Sequence, residues 1–181
     1  MKKLIKIIAA LFFITSCSND ENVDGTPKED DAKPLEEQIV EVMKENDFFP
    51  PEDIVDYEIK GDYIYVFMHS QLNGLSLAIL KHNSDSVEWL MGDQAIQETA
   101  SFVYKGEDET SPVVTVVFSD APDVKDVKVL GEHAKRIQLT QELTDDYSVE
   151  VKYWVHFSDK VEPNEDGFPD NPPSNTVEYI R

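Results

Sequence analysis

The residues able to do chemistry in this chain are few and widely spaced. Cys17 is its only cysteine and follows the short run Ile14-Thr15-Ser16. A lone thiol offers a nucleophile for covalent modification and has no second sulfur to pair with. The histidines are His69, His82, His133 and His156, and none forms H-x-x-x-H or another compact ligand spacing. His69 and His156 fall on predicted strands, so only folding could bring them together. Gly74-Leu75-Ser76-Leu77-Ala78 stops one residue short of the hydrolase elbow G-x-S-x-G. That elbow needs a strained strand-to-helix turn, whereas apolar alternation here runs on past Ser76 and reads as strand. The loop Asn164-Glu165-Asp166-Gly167-Phe168-Pro169-Asp170-Asn171 offers hard oxygen ligands, Asp166 and Asp170 foremost, of the kind calcium accepts. Its acids and glycine do not follow the EF-hand pattern, and a solvated loop is the plainer reading. Asp120, Asp123 and Asp126 make a weaker cluster. Tyr104, Tyr153 and Trp154 could supply an aromatic contact surface. Trp154 sits on the polar face of its strand, where it either marks a ligand-binding face or packs beneath the helix or a second sheet. No catalytic set, phosphate-cradling loop, zinc ribbon or cofactor motif stands out, so no cofactor is expected.

Cys17 gains meaning from what precedes it. Lys2, Lys3 and Lys6 form a basic start, and an apolar run from Leu4 to Ile14 follows. That run is roughly 11 residues, against the ~20 a spanning helix needs, so it suits a cleaved signal better than a retained span. Thr15 and Ser16 are small enough to enter a peptidase site. Residues 1–16 ending at Ile14-Thr15-Ser16-Cys17 resemble the signal peptide and lipobox of bacterial lipoproteins. Ile14 stands where leucine is usual, and Thr15 and Ser16 where alanine and glycine are frequent. The resemblance implies that Cys17 carries a lipid anchor, with the protein bound to the bilayer on the extracytoplasmic side of the cell membrane.

Charge sets the limits on partners. The chain has 16 basic and 37 acidic residues, and loss of the three lysines before Cys17 leaves 13 basic residues and a formal charge of −24. Nucleic acid and bare anionic lipid require basic patches. Cationic peptides, basic proteins or divalent cations suit this field, although such charge also serves solubility. With no second cysteine for a disulfide, about 145 residues from Pro34 onward must hold themselves together by one apolar core.

These side chains need elements to position them. Residues 17–34, SNDENVDGTPKEDDAKP after the cysteine, are too poor in apolar groups to offset ordering entropy and read as a disordered acidic stalk. Leu35, Ile39, Val42 and Met43 share one helical stripe, with Glu36 and Glu37 in the first turn, Asn46 as the stop and Pro50-Pro51 beyond. The polar face of that helix is glutamate-rich, which favours packing on a sheet over lying on a membrane. The period then switches to two. Ile54 to Lys60, Tyr63 to Ser70, Leu75 to His82 and Val87 to Met91 read as a meander, joined by Gly61-Asp62, Asn73-Gly74 and the polar run 83–86. Both faces of Tyr63 to Ser70 are apolar, so this strand is expected to be central. Residues 94–104 fit helix or strand. Val113 to Phe118, Val124 to Leu130, Arg136 to Thr140 and Tyr147 to Ser158 form a second block, the last alternating as a half-buried strand. Thr176 to Ile180 can close the sheet.

The expected fold is α+β: one N-terminal amphipathic helix, then a mostly antiparallel sheet of about eight or nine strands, or a two-sheet sandwich. Residues 35–181 form a single β-rich domain, and its layout loosely resembles small uncharacterised lipoproteins of Gram-positive bacteria. The expected function is a non-enzymatic protein- or peptide-binding module of the cell envelope. The alternatives are an envelope hydrolase with a dispersed active site and a calcium-dependent adhesion or scaffold module.

Overall fold

A computed structural model describes residues 33–181 apart from 49, 71–73, 97, 105–110, 145 and 160–170. The single α-helix among them, α1 (Leu35–Glu45), buries Ile39 and Met43, the centre of its apolar stripe, with Leu35 and Val42 partly covered beside them. It stops where the side chain of Asn46 donates to the Val42 carbonyl at 2.8 Å. Asp47 then turns into the left-handed region at φ 51°, and the Phe48 N–H reaches the Met43 carbonyl at 3.0 Å. A 3-10 turn at Pro51–Asp53 leads into the sheets.

The first sheet is an antiparallel meander of β1 (Ile54–Lys60), β2 (Tyr63–Ser70), β3 (Gly74–His82) and β4 (Val87–Ile96), in that spatial order. Glycine supplies the positive φ that two of its turns require, at Gly61 (59°) and Gly74 (72°). β2 lies between β1 and β3 and is covered on both faces. Its Ile64, Val66 and Met68 meet α1, while Tyr63, Tyr65 and Phe67 face the opposite way. β4 runs five residues beyond Met91, to Ile96, and its pairing with β3 shifts register between Leu75 and Leu77 and again between Ile79 and Leu80. It does so past Gly92, where a Cβ would lie 2.5 Å from Phe48 and 2.7 Å from Trp89. Those two rings meet at a tilt, 5.0 Å between centres, beside the glycine, so the strand passes beneath them only because no side chain stands there.

The second half of the chain divides differently from the single sheet that its strand rhythm suggests. In order come β5 (Ala100–Phe102), β6 (Val113–Phe118), β7 (Asp126–Val129), β8 (Glu132–His133), β9 (Lys135–Thr144), β10 (Tyr147–Ser158) and β11 (Glu178–Ile180). Strands β5-β6-β10-β9 make a second antiparallel sheet, and β11-β7-β8 make a third. The ambiguous stretch 94–104 is strand at both ends, as the tail of β4 and as β5. The third sheet arises because Leu130 and Gly131, at φ 54° and 79°, fold β7 and β8 into a tight hairpin. Val124, Val127, Val129 and Ala134 then bury Val117 of β6 and Trp154 of β10. The final strand pairs with β7, Glu178 opposite Lys128, and so completes this cover instead of closing a main sheet.

The described residues therefore stack as helix, first sheet, second sheet and third sheet, with an apolar cluster at each of the three junctions. The central cluster joins Tyr65, Phe67, Leu77 and Ile79 of the first sheet to Val114, Val116, Tyr153 and Val155 of the second. β10 departs from the half-buried reading. Its first half, Tyr147–Lys152, pairs with β9 alone and alternates as expected, but Tyr153–His156 is buried on both faces because the third sheet covers the outer one. At the far edge Lys135 of β9 bridges Asp56 and Glu58 of β1 at 2.6 and 2.5 Å.

Candidate functional site

The turn between β1 and β2 and the end of β10 open an exposed cleft of about 410 Å³. Its walls are Lys60, Asp62 and Tyr63 at the turn, Pro112 at the head of β6, Phe157 of β10 and Asp159 just beyond that strand. The floor is rigid for a local reason. Tyr65 is fully buried, donates its hydroxyl to the Pro112 carbonyl at 2.8 Å and meets the Phe157 ring edge-on at 4.8 Å. Burial pushes the Tyr65 phenol up to about 12, opposed by a hydrogen bond with Ser111, so the group is a fixed neutral donor at physiological pH. The Tyr63 ring lies tilted against Tyr104 at 6.3 Å. Above the floor, the Lys60 ammonium sits 4.9 Å from the centre of the Phe157 ring and 3.7 Å from a Glu58 oxygen. An aromatic ring that holds a cation, walled by two carboxylates, has the chemistry to bind basic side chains.

No short-range sequence signal marks this cleft. Gly61-Asp62 reads as turn chemistry and Phe157 as the last inward residue of a strand; only the register of two separate strands brings them together. The residues singled out by type are dispersed instead. Ser76 is buried within β3, with strand on both sides. His69 is half-buried on β2, near Tyr153 at 6.5 Å between rings. Burial lowers its pKa, and the Asp53 carboxylate works against that shift. His156 is buried on the opposite face of the second sheet, so the two imidazoles do not meet. His156 places Nε2 3.3 Å from a Glu132 oxygen, while its Nδ1 has no hydrogen-bond partner among the described residues. A histidine oriented by an acid is a catalytic arrangement in outline, but this one is shut under the third sheet, away from the cleft.

The aromatic trio does not form one surface. Tyr153 points into the central core, where the Leu75 backbone bonds its hydroxyl; Trp154 is 1 % exposed and packs against the third sheet. The Asp120–Asp126 cluster is likewise divided. Asp123 pairs with Arg181 at 3.3 Å, and Asp126 accepts from the Val127 N–H and from His133. The Val127 bond foremost, and then His133, holds the Asp126 carboxyl below the usual range. Among the described residues no group of three or more His, Cys, Asp or Glu is placed to hold a metal ion. Cys17, Asp166 and Asp170 lie outside the described residues. No helix among the described residues is long and apolar enough to cross a membrane.

Compared with known proteins, the chain matches no protein-family model, no curated protein and no solved structure.

Proposed function

We propose that this protein is a lipid-anchored, extracytoplasmic binding module that takes a basic segment of a protein or peptide partner in the cleft at Phe157. The observation that carries the reading is Lys60 on the Phe157 ring, in a cleft that Asp62 and Asp159 also line. The domain already stabilises a cation there, and the formal charge of −24 that remains after loss of the three lysines before Cys17 draws further cations toward the protein. The floor at Pro112 and Phe157 is held from beneath by Tyr65 before any ligand arrives, which limits the ordering cost of binding. An arginine is the better occupant than a lysine, since its planar guanidinium stacks on an aromatic face and pairs with carboxylates through a fork of N–H groups.

The test is calorimetric titration with a short arginine-containing peptide and its lysine counterpart. Asp62→Asn with Asp159→Asn should weaken binding about tenfold and reduce its salt dependence. Equal affinity for the double variant would remove the cleft as the site. Attachment is tested separately. Cys17→Ser should release the protein from membranes and abolish palmitate labelling, and continued labelling of that variant would overturn the anchor.

A further inference from the structure

The six strands at open sheet edges are not alike. β5 and β11 are three residues long and β8 only two. β1 carries an irregularity between Ile54 and Asp56, and the pairing of β4 with β3 shifts register twice. Short or bulged edges resist pairing with another chain. β9 is the exception. It ends its sheet, runs ten residues, has no proline, and pairs with β10 in unbroken register from Lys135 to Glu142. On that outer edge alternate residues direct their backbone N–H and C=O groups away from β10.

Its sequence also complements itself. Take two antiparallel copies related by a two-fold axis through Leu139. Arg136 then stands opposite Glu142 of the second copy, twice over, and Gln138 stands opposite Thr140 on the same polar face. On the other face Leu139 meets Leu139 and Ile137 meets Gln141. Arg136 and Glu142 are both exposed and form no salt bridge among the described residues. Directly opposed charges of opposite sign stabilise a strand pair, and like charges destabilise it. Lys135 falls opposite Leu143 and is already held by Asp56 and Glu58, so the charge match rests on Arg136 and Glu142.

We infer that β9 is an interaction edge for a second copy of this chain, joining two four-stranded sheets into one continuous antiparallel sheet of eight about a Leu139–Leu139 axis. The cleft at Phe157 takes no part in this contact, so the two proposals fail separately.

The experiment uses the full chain with Cys17→Ser and Leu139→Cys, oxidised and run on a non-reducing gel. Directly opposed strand residues bring Cβ atoms to ~4.5–5.5 Å, close to disulfide geometry, so a covalent dimer is expected. Val55→Cys in the same background, on the bulged edge β1, should stay monomeric. Adding Arg136→Glu to Leu139→Cys places glutamates opposite one another and should slow cross-linking about tenfold. Adding Glu142→Arg to that variant should restore the rate. Absence of the Leu139→Cys dimer, equal cross-linking at Val55, or a rate untouched by the charge reversals would each overturn the inference.

Discussion

The helix over the first sheet and the third sheet over the second do the same task with different materials. Beneath α1 the buried residues are Ile39, Met43, Ile64, Val66, Met68, Ala78 and Leu80, joined by Phe48 and Val87. Beneath the third sheet, Val117, Val127, Val129 and Trp154 share the space with a polar row. There Ser101, Thr115 and His156 stand side by side across β5, β6 and β10. The hydroxyls of Ser101 and Thr115 bond each other at 2.7 Å, and Ser101 accepts from the Ser174 N–H at 3.0 Å. Trp154 Nε1, His156 Nδ1 and Ser158 Oγ have no hydrogen-bond partner among the described residues. A buried polar group without a partner costs about 1–3 kcal/mol. The first cover is therefore held by apolar area, while the second also encloses polar atoms without a partner among the described residues, so the third sheet is expected to open first.

The largest test of that contrast removes apolar area from the better cover. Met43→Ala should lower stability by ~2–5 kcal/mol in chemical denaturation; a loss under ~1 kcal/mol would mean that α1 is not a structural cover at all. The next concerns the centre both covers share. Because burial raises the Tyr65 pKa above its ordinary value of 10.0, to about 12, the associated stability is complete below pH 10. It is lost as pH climbs through 12, by roughly 3 kcal/mol. Tyr65→Phe should flatten that alkaline loss, and an unchanged alkaline limb would assign it elsewhere.

Smaller effects distinguish the weaker cover. Trp154→Phe keeps most of the ring and deletes the unpartnered N–H, so it should change stability by about 1 kcal/mol or less, or raise it. A loss of several kcal/mol would show that the indole nitrogen is satisfied after all. Amide exchange should report the same asymmetry, with β7, β8 and β11 exchanging well before β2 and β3. The smallest effect lies in the hairpin itself. Leu130 adopts φ 54°, a region costly for a side-chain-bearing residue, and its N–H is held by the Thr176 hydroxyl at 2.9 Å. Leu130→Gly should gain about 0.5–1 kcal/mol, read as a rise in melting temperature; a fall would show that the Leu130 side chain matters more than its backbone.

The same contrast explains what could be read in advance. The stripe Leu35, Ile39, Val42 and Met43 and the two-faced β2 are local patterns set by spacing, so the first half is legible from the chain. The boundaries of β6 follow from a short continuous run, VVTVVF, and those of β10 from alternation. The third sheet is not legible, because β7 alternates just as a strand of the main sheet would. What diverts it is a hairpin at Leu130-Gly131, and leucine is no turn signal. Once it folds over β10, the apparently polar positions Trp154, His156 and Ser158 become interior. The cleft is hidden for a related reason. Lys60, Asp62, Phe157 and Asp159 each have an ordinary local explanation, and only the stacking of two sheets makes them neighbours.

Lys135 gives the stack an asymmetry of its own. The two central sheets are joined along one side by the chain itself, which passes from β4 to β5 through residues 97–99. Along the other side Lys135 of β9 is held between Asp56 and Glu58 of β1. Its pKa is raised because the bonds to both acids outweigh a burial effect that acts the other way. A partly exposed contact of this kind is worth about 1 kcal/mol and weakens in salt. The sandwich thus resembles a book with a covalent spine and an electrostatic clasp; high salt should loosen the clasp, while the apolar cluster between the sheets keeps the pages together.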